Sequence, residues 1–223
     1  MPTEVDLTVN HYKFWSIERP VVTLKVDRRQ WTTELDYVGF IGNPTVKEIQ
    51  NRRTTKMVDD TLHLTAYRIA QSHPPRNPVS FSNQFGTATW QIGNSELLLV
   101  PALKAIDPGS PSEPPNRGTH YVCYPVKDHT VVRKVRLTDQ FDRKSDRKGE
   151  IVTRLQPVYI ALPAQKNDEG PQEPGIWLAI YKFTSQAPLT EAITANIFDQ
   201  FGPRRVLAKQ SCMLAVPSSP SYP

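Results

Sequence analysis

The chain has 223 residues, a formal net charge of +5, 38% hydrophobic residues, 21 Pro, 10 Gly and two Cys. It is too apolar and too regularly patterned for a disordered chain, and it has no run of 18 apolar residues that would cross a membrane as a helix. Two cysteines make no disulfide framework, and the Pro-rich, Gly-poor balance points to short strands and loops rather than long helices.

The chain repeats one phrase four times: a strand-like heptad, a middle ending in Gln plus an aromatic, and an apolar run into Pro. The first copy is worn: His11–Ile17 (HYKFWSI), then Arg29-Gln30-Trp31, then Phe40-Ile41-Gly42-Asn43-Pro44. The second opens with His63–Ile69 (HLTAYRI), carries Asn83-Gln84-Phe85-Gly86 and closes with Leu98-Leu99-Val100-Pro101. The third has His120–Val126 (HYVCYPV), Asp139-Gln140-Phe141-Asp142 and Ile160-Ala161-Leu162-Pro163. The fourth has Trp177–Phe183 (WLAIYKF), Asp199-Gln200-Phe201-Gly202 and Leu214-Ala215-Val216-Pro217. The marker aromatics step by 52 (15 to 67), 57 (67 to 124) and 57 (124 to 181), the mark of one duplicated supersecondary unit.

Each copy breaks into four short runs rich in β-branched and aromatic residues. The second gives 63–69, 79–85, 87–92 and 96–101; the third gives 120–126, 135–141, 150–155 and 158–162; the fourth gives 177–183, 195–201, 204–209 and 212–216. The fold expected is all-β, four repeats of about four strands each, with short helices only over 45–52 and 189–194. Alternate residues of the opening strand are apolar on both faces (His63, Thr65, Tyr67 and Ile69 against Leu64 and Ala66), which marks an interior strand.

This pattern resembles an uncharacterised repeat domain of secreted bacterial and archaeal proteins whose units read His-x-x-Cys-Tyr, then Asp-Gln-Phe-Gly, then Leu-Cys-x-Pro. The resemblance covers most of 62–223 and, more faintly, 10–44. It implies a disulfide between the first and last strands of a unit, at positions held here by Phe14 and Gly42, Ala66 and Leu99, Cys123 and Ala161, and Ile180 and Ala215. Every pair sets a small residue against a larger one, as side chains in contact do when a close-packed interior conserves summed volume.

The segment 106–118, with four Pro and two Gly, is expected to link repeats one and two (1–105) to repeats three and four (119–216), with 217–223 a tail that leaves the sheet. Two β-sandwich or barrel-like lobes follow as the architecture, and a four-bladed ring is the alternative.

None of the sequence motifs of nucleotide-binding loops, serine hydrolases or zinc peptidases occurs, and no cofactor or metal site is expected. His11, His63 and His120 share a position that the fourth copy fills with Trp177, so a structural role fits them better than metal ligation. The recurring Gln30, Gln84, Gln140 and Gln200 are expected to tie down turns, capped by the neighbouring Asn83, Asp139 or Asp199. Charge concentrates in the third copy, where Arg133, Lys134, Arg143, Lys144, Arg147 and Lys148 form a basic hairpin suited to an acidic partner or an anionic membrane surface. No aromatic lies within the hairpin tip 143–149, which argues against stacking on single-stranded nucleic acid.

The expected function is a non-catalytic structural subunit of a larger protein assembly, with other subunits as partners. A carbohydrate-binding or other ligand-binding module is the alternative, using Trp90 or Trp31; nucleic-acid or anionic-surface binding through the basic hairpin is another. The start at Met1 lacks the basic and apolar stretches of a secretory signal, so the cytoplasm or the cytoplasmic face of a membrane complex is expected, and a removed signal would place the chain outside it.

Overall fold

The structure, a computed structural model, describes residues 5–9, 19–49, 52–53, 61–106, 109–127, 131–138, 149–170, 175–184, 193–208 and 210–221. The strands among them are β1 (Val5–Val9), β2 (Val21–Val26), β3 (Arg29–Pro44), β4 (Val46–Ile49), β5 (Arg52–Arg53), β6 (Leu62–Ile69), β7 (Val79–Asn83), β8 (Gly86–Trp90) and β9 (Leu97–Ile106). They continue with β10 (His120–Pro125), β11 (Val131–Thr138), β12 (Glu150–Lys166), β13 (Trp177–Lys182), β14 (Ile193–Asp199), β15 (Gly202–Ala208) and β16 (Gln210–Pro220). Each repeat supplies an opening strand (β1, β6, β10, β13), a hairpin and a closing strand (β3, β9, β12, β16). In the first and third repeats the second hairpin strand runs directly into the closing strand, so 150–155 and 158–162 lie on the single strand β12.

The opening and closing strands pair in chain order and the pairing returns to its start: β1 with β3, β3 with β6, β6 with β9, β9 with β10, β10 with β12, β12 with β13, β13 with β16, and β16 with β1. All eight contacts are antiparallel, so the four repeats close one eight-stranded barrel. The register steps by two residues at each repeat. Leu99 faces Ala66 on one side and Tyr121 on the other; Ala161 faces Cys123 and Leu178; Ala215 faces Ile180 and Val5; Gly42 faces Leu7 and Leu64. Four such steps supply the stagger that closure demands, and an eight-stranded barrel of that stagger tilts its strands by about 36°.

Hydrogen bonds therefore run from repeat two into three and from four back into one as they do within a repeat. The strands do not divide into two lobes, and the ring is closed by backbone bonds rather than by packed blades. An interior strand pair leaves no edge to cap, which is the physical gain of closure.

Three of the four size-swapped pairs stand directly opposite one another: Ala66 with Leu99, Cys123 with Ala161, and Ile180 with Ala215. In the first repeat the partner of Gly42 is Leu7, and the opening strand is 5–9 rather than His11–Ile17, whose residues lie outside the described set. The phase of the ladder is the same each time. Ile69, Val126 and Phe183 each donate a backbone bond to Glu96, Val158 and Cys212, three residues from the swapped pair. Each pair thus falls at a non-hydrogen-bonded site, where Cα atoms approach to about 4.5 Å. That spacing lies in the range of about 4.4–6.8 Å that a disulfide spans.

One apolar cluster contains Leu64, Ala66, Leu97, Leu99, Tyr121, Cys123, Ala161, Leu178, Ile180, Met213 and Ala215, drawn from six ring strands and from no hairpin; it fills the barrel. A larger cluster holds the opposite strand faces, including Tyr67, Leu98, Val122, Tyr124, Ile160, Tyr181 and Leu214, together with Leu24, Phe81, Trp90, Val135 and Leu155 of the hairpins. The hairpins are the cover of the barrel's outer face, which explains why both faces of the opening strands are apolar.

Each hairpin lies on the closing strand of the diagonally opposite repeat. β2 pairs with the end of β12, β7 with the end of β16, β14 with the end of β9, and β11 with β4, the continuation of β3. Residues 46–49, expected to be helical, are a strand because β11 offers them a ladder, and the β-branched Val46 and Ile49 suit it. Of the second helical candidate, 193–194 begin β14 and the rest lie outside the described residues. The C-terminal stretch continues the sheet to Pro220: Ser219 and Pro220 pair with β7, and the Ser221 N–H donates to Ser80, supplying a bond that proline cannot. Residues 109–118 run from the end of β9, with Gly118 at φ +107° set against Pro101 and Leu62, where an added Cβ would meet both.

The register makes a direct prediction. Ala161→Cys introduces a thiol opposite Cys123, and mild oxidation of the folded variant should consume both thiols in an intramolecular bridge, counted by thiol titration and mass spectrometry. Two thiols persisting after oxidation would show that this pair does not face.

Candidate functional site

The recurring residues of one repeat meet those of its diagonal partner. The turn after β14 brings Phe201 edge-on to Tyr67, with centroids 4.9 Å apart, and the turn after β7 brings Phe85 edge-on to Tyr181 at 5.3 Å. The residue opening each turn does the same by hydrogen bonds. Tyr67 donates to Asp199 Oδ2 at 2.5 Å and Thr65 donates to it at 2.7 Å, while Asn83 Nδ2 donates to Tyr181 at 3.3 Å and to Ser218 at 3.2 Å. Repeats two and four thus exchange the same contact in both directions.

The same two residues cap their own turns: the Phe85 N–H donates to Asn83 Oδ1 and the Phe201 N–H to Asp199 Oδ1, each at 2.8 Å. The expected capping by Asn83 and Asp199 is therefore present, with Gly86 and Gly202 taking positive φ after it. Asp199 is buried, and Arg204 Nη1 lies 3.0 and 3.1 Å from its two oxygens with its guanidinium 5.3 Å over the Tyr67 ring. A carboxylate so enclosed is tolerable because it has both a counter-charge and several donors. Gln30 departs from the pattern: the first hairpin turns at 27–28, and Gln30 lies in β3 opposite Lys25. Gln140 lies outside the described residues.

Where the fourth hairpin reaches β10, Gln200 and His120 come together, their Nε2 atoms 3.2 Å apart. Burial, then the charge of Lys166, pull the imidazole down to about 4. His120 is accordingly neutral near pH 7 and accepts the amide N–H. Pro101, Pro115, Arg117, His120, Glu169 and Gln200 line a cleft of about 410 Å³ at this corner. Lys166 stands behind its wall, buried, with Nζ 3.3 Å from the exposed Glu169 carboxylate. His63, at the equivalent strand position, is held well below its ordinary value by burial and then by Lys104, and its Nδ1 has no hydrogen-bond partner among the described residues. His11 leaves this set, because the residue three before Leu7 is Glu4.

Three buried lysines were not singled out by the sequence pattern: Lys47, whose ammonium lies 5.1 Å from the Phe85 ring centroid; Lys104, which donates to Asn43; and Lys166. Each ends a Pro-x-x-Lys that follows a closing strand's proline (Pro44, Pro101, Pro163), and that recurrence was the available signal.

Of the basic residues, Arg143, Lys144, Arg147 and Lys148 lie outside the described residues; Arg133 and Lys134 are on β11, where Lys134 is exposed. Both cysteines are free thiols, and burial in the barrel pushes the Cys123 thiol up. Trp90 is buried against Phe81 and Tyr181, and Trp31 stacks on His73 at 4.9 Å.

The geometry defines an all-β protein of internal repeats closed into one sheet. The chain belongs to the family described as "Repeat of unknown function (DUF7450)", whose model matches residues 63–217. No curated protein and no solved structure matches the chain significantly.

Two outcomes test the diagonal contacts and the buried imidazole. Asp199→Ala removes the buried carboxylate that Thr65, Tyr67 and Arg204 share; urea unfolding should show a loss of about 3–5 kcal/mol, and Tyr67→Phe a loss of about 1–2 kcal/mol. From pH 6.5 down to about 4 the unfolded chain takes up a proton at His120 that the folded chain refuses, so stability falls as pH falls through that window. The full effect is about 3 kcal/mol, and His120→Gln should flatten the slope of stability against pH there by about one proton.

Proposed function

We propose that this chain is a non-catalytic structural subunit of a larger protein assembly, working in the cytoplasm or on the cytoplasmic face of a membrane complex. The observation that carries this reading is the use to which the recurring polar residues are put. Asn83, Asp199, Tyr67 and Tyr181 are engaged in holding diagonal repeats together, so the repeated motif builds a frame. A rigid frame with loops that vary between copies is suited to presenting contact surfaces.

The cysteine-free pairs support that compartment. Ala66–Leu99 and Ile180–Ala215 stand at sites where the resemblance to secreted domains implies a disulfide, and their loss suits a chain kept among reduced thiols. The basic residues 133–148 of the third repeat would reach an anionic membrane surface or an acidic subunit. The carbohydrate reading gains nothing from Trp90 and Trp31, which are occupied inside the protein.

Isolation from the native source under mild conditions tests the proposal. Elution in a complex well above 25.3 kDa, with stoichiometric companions, is expected. Recovery of a lone monomer from such a preparation would overturn it.

A further inference from the structure

The corner cleft is where the copies stop being alike. At the equivalent strand position the fourth repeat has Trp177, whose ring packs against the outer core, while the third has His120 and leaves an open cleft roofed by the 109–118 connection. Symmetry alone would have repeated one solution; this corner has a different shape and a different charge.

Its chemistry is specific. The floor offers a neutral imidazole and the Gln200 amide, which holds a second N–H beyond the one directed at His120. One wall carries the exposed guanidinium of Arg117, which also donates to Thr61 at 3.3 Å. The other carries Glu169, whose carboxylate sits on the buried Lys166 ammonium. Among the described residues the charged groups of the lining are Arg117 and Glu169, with the Lys166 ammonium beside Glu169. Glu169 is the acid of the lining, and its side chain is exposed.

We propose that this cleft binds a small carboxylate-bearing ligand, held by Arg117 and the Gln200 amide, with Glu169 as a like charge in the same lining. The size suits it: ligand pockets begin at about 300 Å³. Guanidinium and carboxylate match as a planar, charge-assisted pair. The three prolines and two glycines of the lining keep the walls short and stiff, so little side-chain entropy is lost when the site fills. The inference is independent of the structural-subunit reading, since a frame and a ligand site can coexist.

Succinate is the probe, titrated into the isotope-labelled full chain while the Gln200 side-chain amide and the His120 ring are followed by NMR. Saturable shifts of both are expected. Arg117→Gln removes a charge-assisted bond worth about 1.5–3 kcal/mol, which is a loss of about ten- to a hundredfold in affinity. Glu169→Gln has the opposite sign, strengthening binding by about two- to fivefold as a like charge is removed from the lining. Both residues are exposed, so both variants should fold. Unchanged affinity in Glu169→Gln, the absence of saturable shifts, or a response to inorganic phosphate or glucose but not to succinate would each overturn the assignment.

Discussion

The two-residue stagger between neighbouring repeats constrains everything else in this molecule. Eight antiparallel strands close only if the stagger accumulated around the ring matches the strand number, and here one closing-strand residue in each repeat faces two opening strands at once. Gly42, Leu99, Ala161 and Ala215 are those residues, and they point into a narrow interior. A barrel of this stagger has room for layers of about four side chains drawn from alternate strands. Leu99 is the large member of its layer beside Ala161, Ala215 and Gly42; Ala66 is the small member beside Cys123 and Ile180. The swapped sizes are thus a solution for the whole layer, of which each facing pair is a part.

Closure also creates an obligation. The outer faces of the ring strands are as apolar as the inner ones, with Tyr67, Leu98, Val122, Ile160 and Val216 all buried. Water must be kept from them, and the ring has no further strands to give. The hairpins meet this need, and they do so across the diagonal. In a solenoid each repeat touches only its neighbours and stability is close to a sum of local terms. Here the cover of one repeat comes from the repeat opposite, so neither half can bury its own surface alone. The Asp199–Tyr67 and Asn83–Tyr181 contacts hold those covers in register and hydrogen-bond the polar atoms buried at those two turns.

The sequence shows the period, the all-β class and the two apolar faces, because side-chain alternation is a local property. It shows the swapped pairs as well, since a closing-strand proline fixes the phase of each copy. Pairing between repeats is a different matter. Nothing in the Pro-rich 106–118 segment distinguishes a linker between lobes from a return loop beside Pro101, and only the ladder between β9 and β10 decides it. The first copy misled for a traceable reason: His11 and Trp15 look like the other openings, whereas Val5–Val9 carries no aromatic and occupies the strand position by register alone. The His120–Gln200 corner was half visible, as two recurring residue types with structural readings. Their meeting depends on a hairpin crossing to the diagonal repeat, which no local pattern encodes.

Duplication then bears on where a distinctive chemistry can sit. A fourfold frame repeats its packing in every copy, so positions such as Tyr67 and Tyr181 are bound to the frame and cannot vary without loosening a diagonal contact. Corners between copies are freer. Trp177 fills one and His120 opens another, at no cost to the ladder that carries them, since both residues only begin a strand. The buried Lys166 follows the same logic. Its stem completes the outer core as Lys104 does in the second repeat, but its ammonium meets an exposed carboxylate where that of Lys104 meets Asn43. Equivalent backbone positions with unequal partners are what divergence leaves after duplication, and the corner where His120, Gln200, Arg117 and Glu169 meet is one of them.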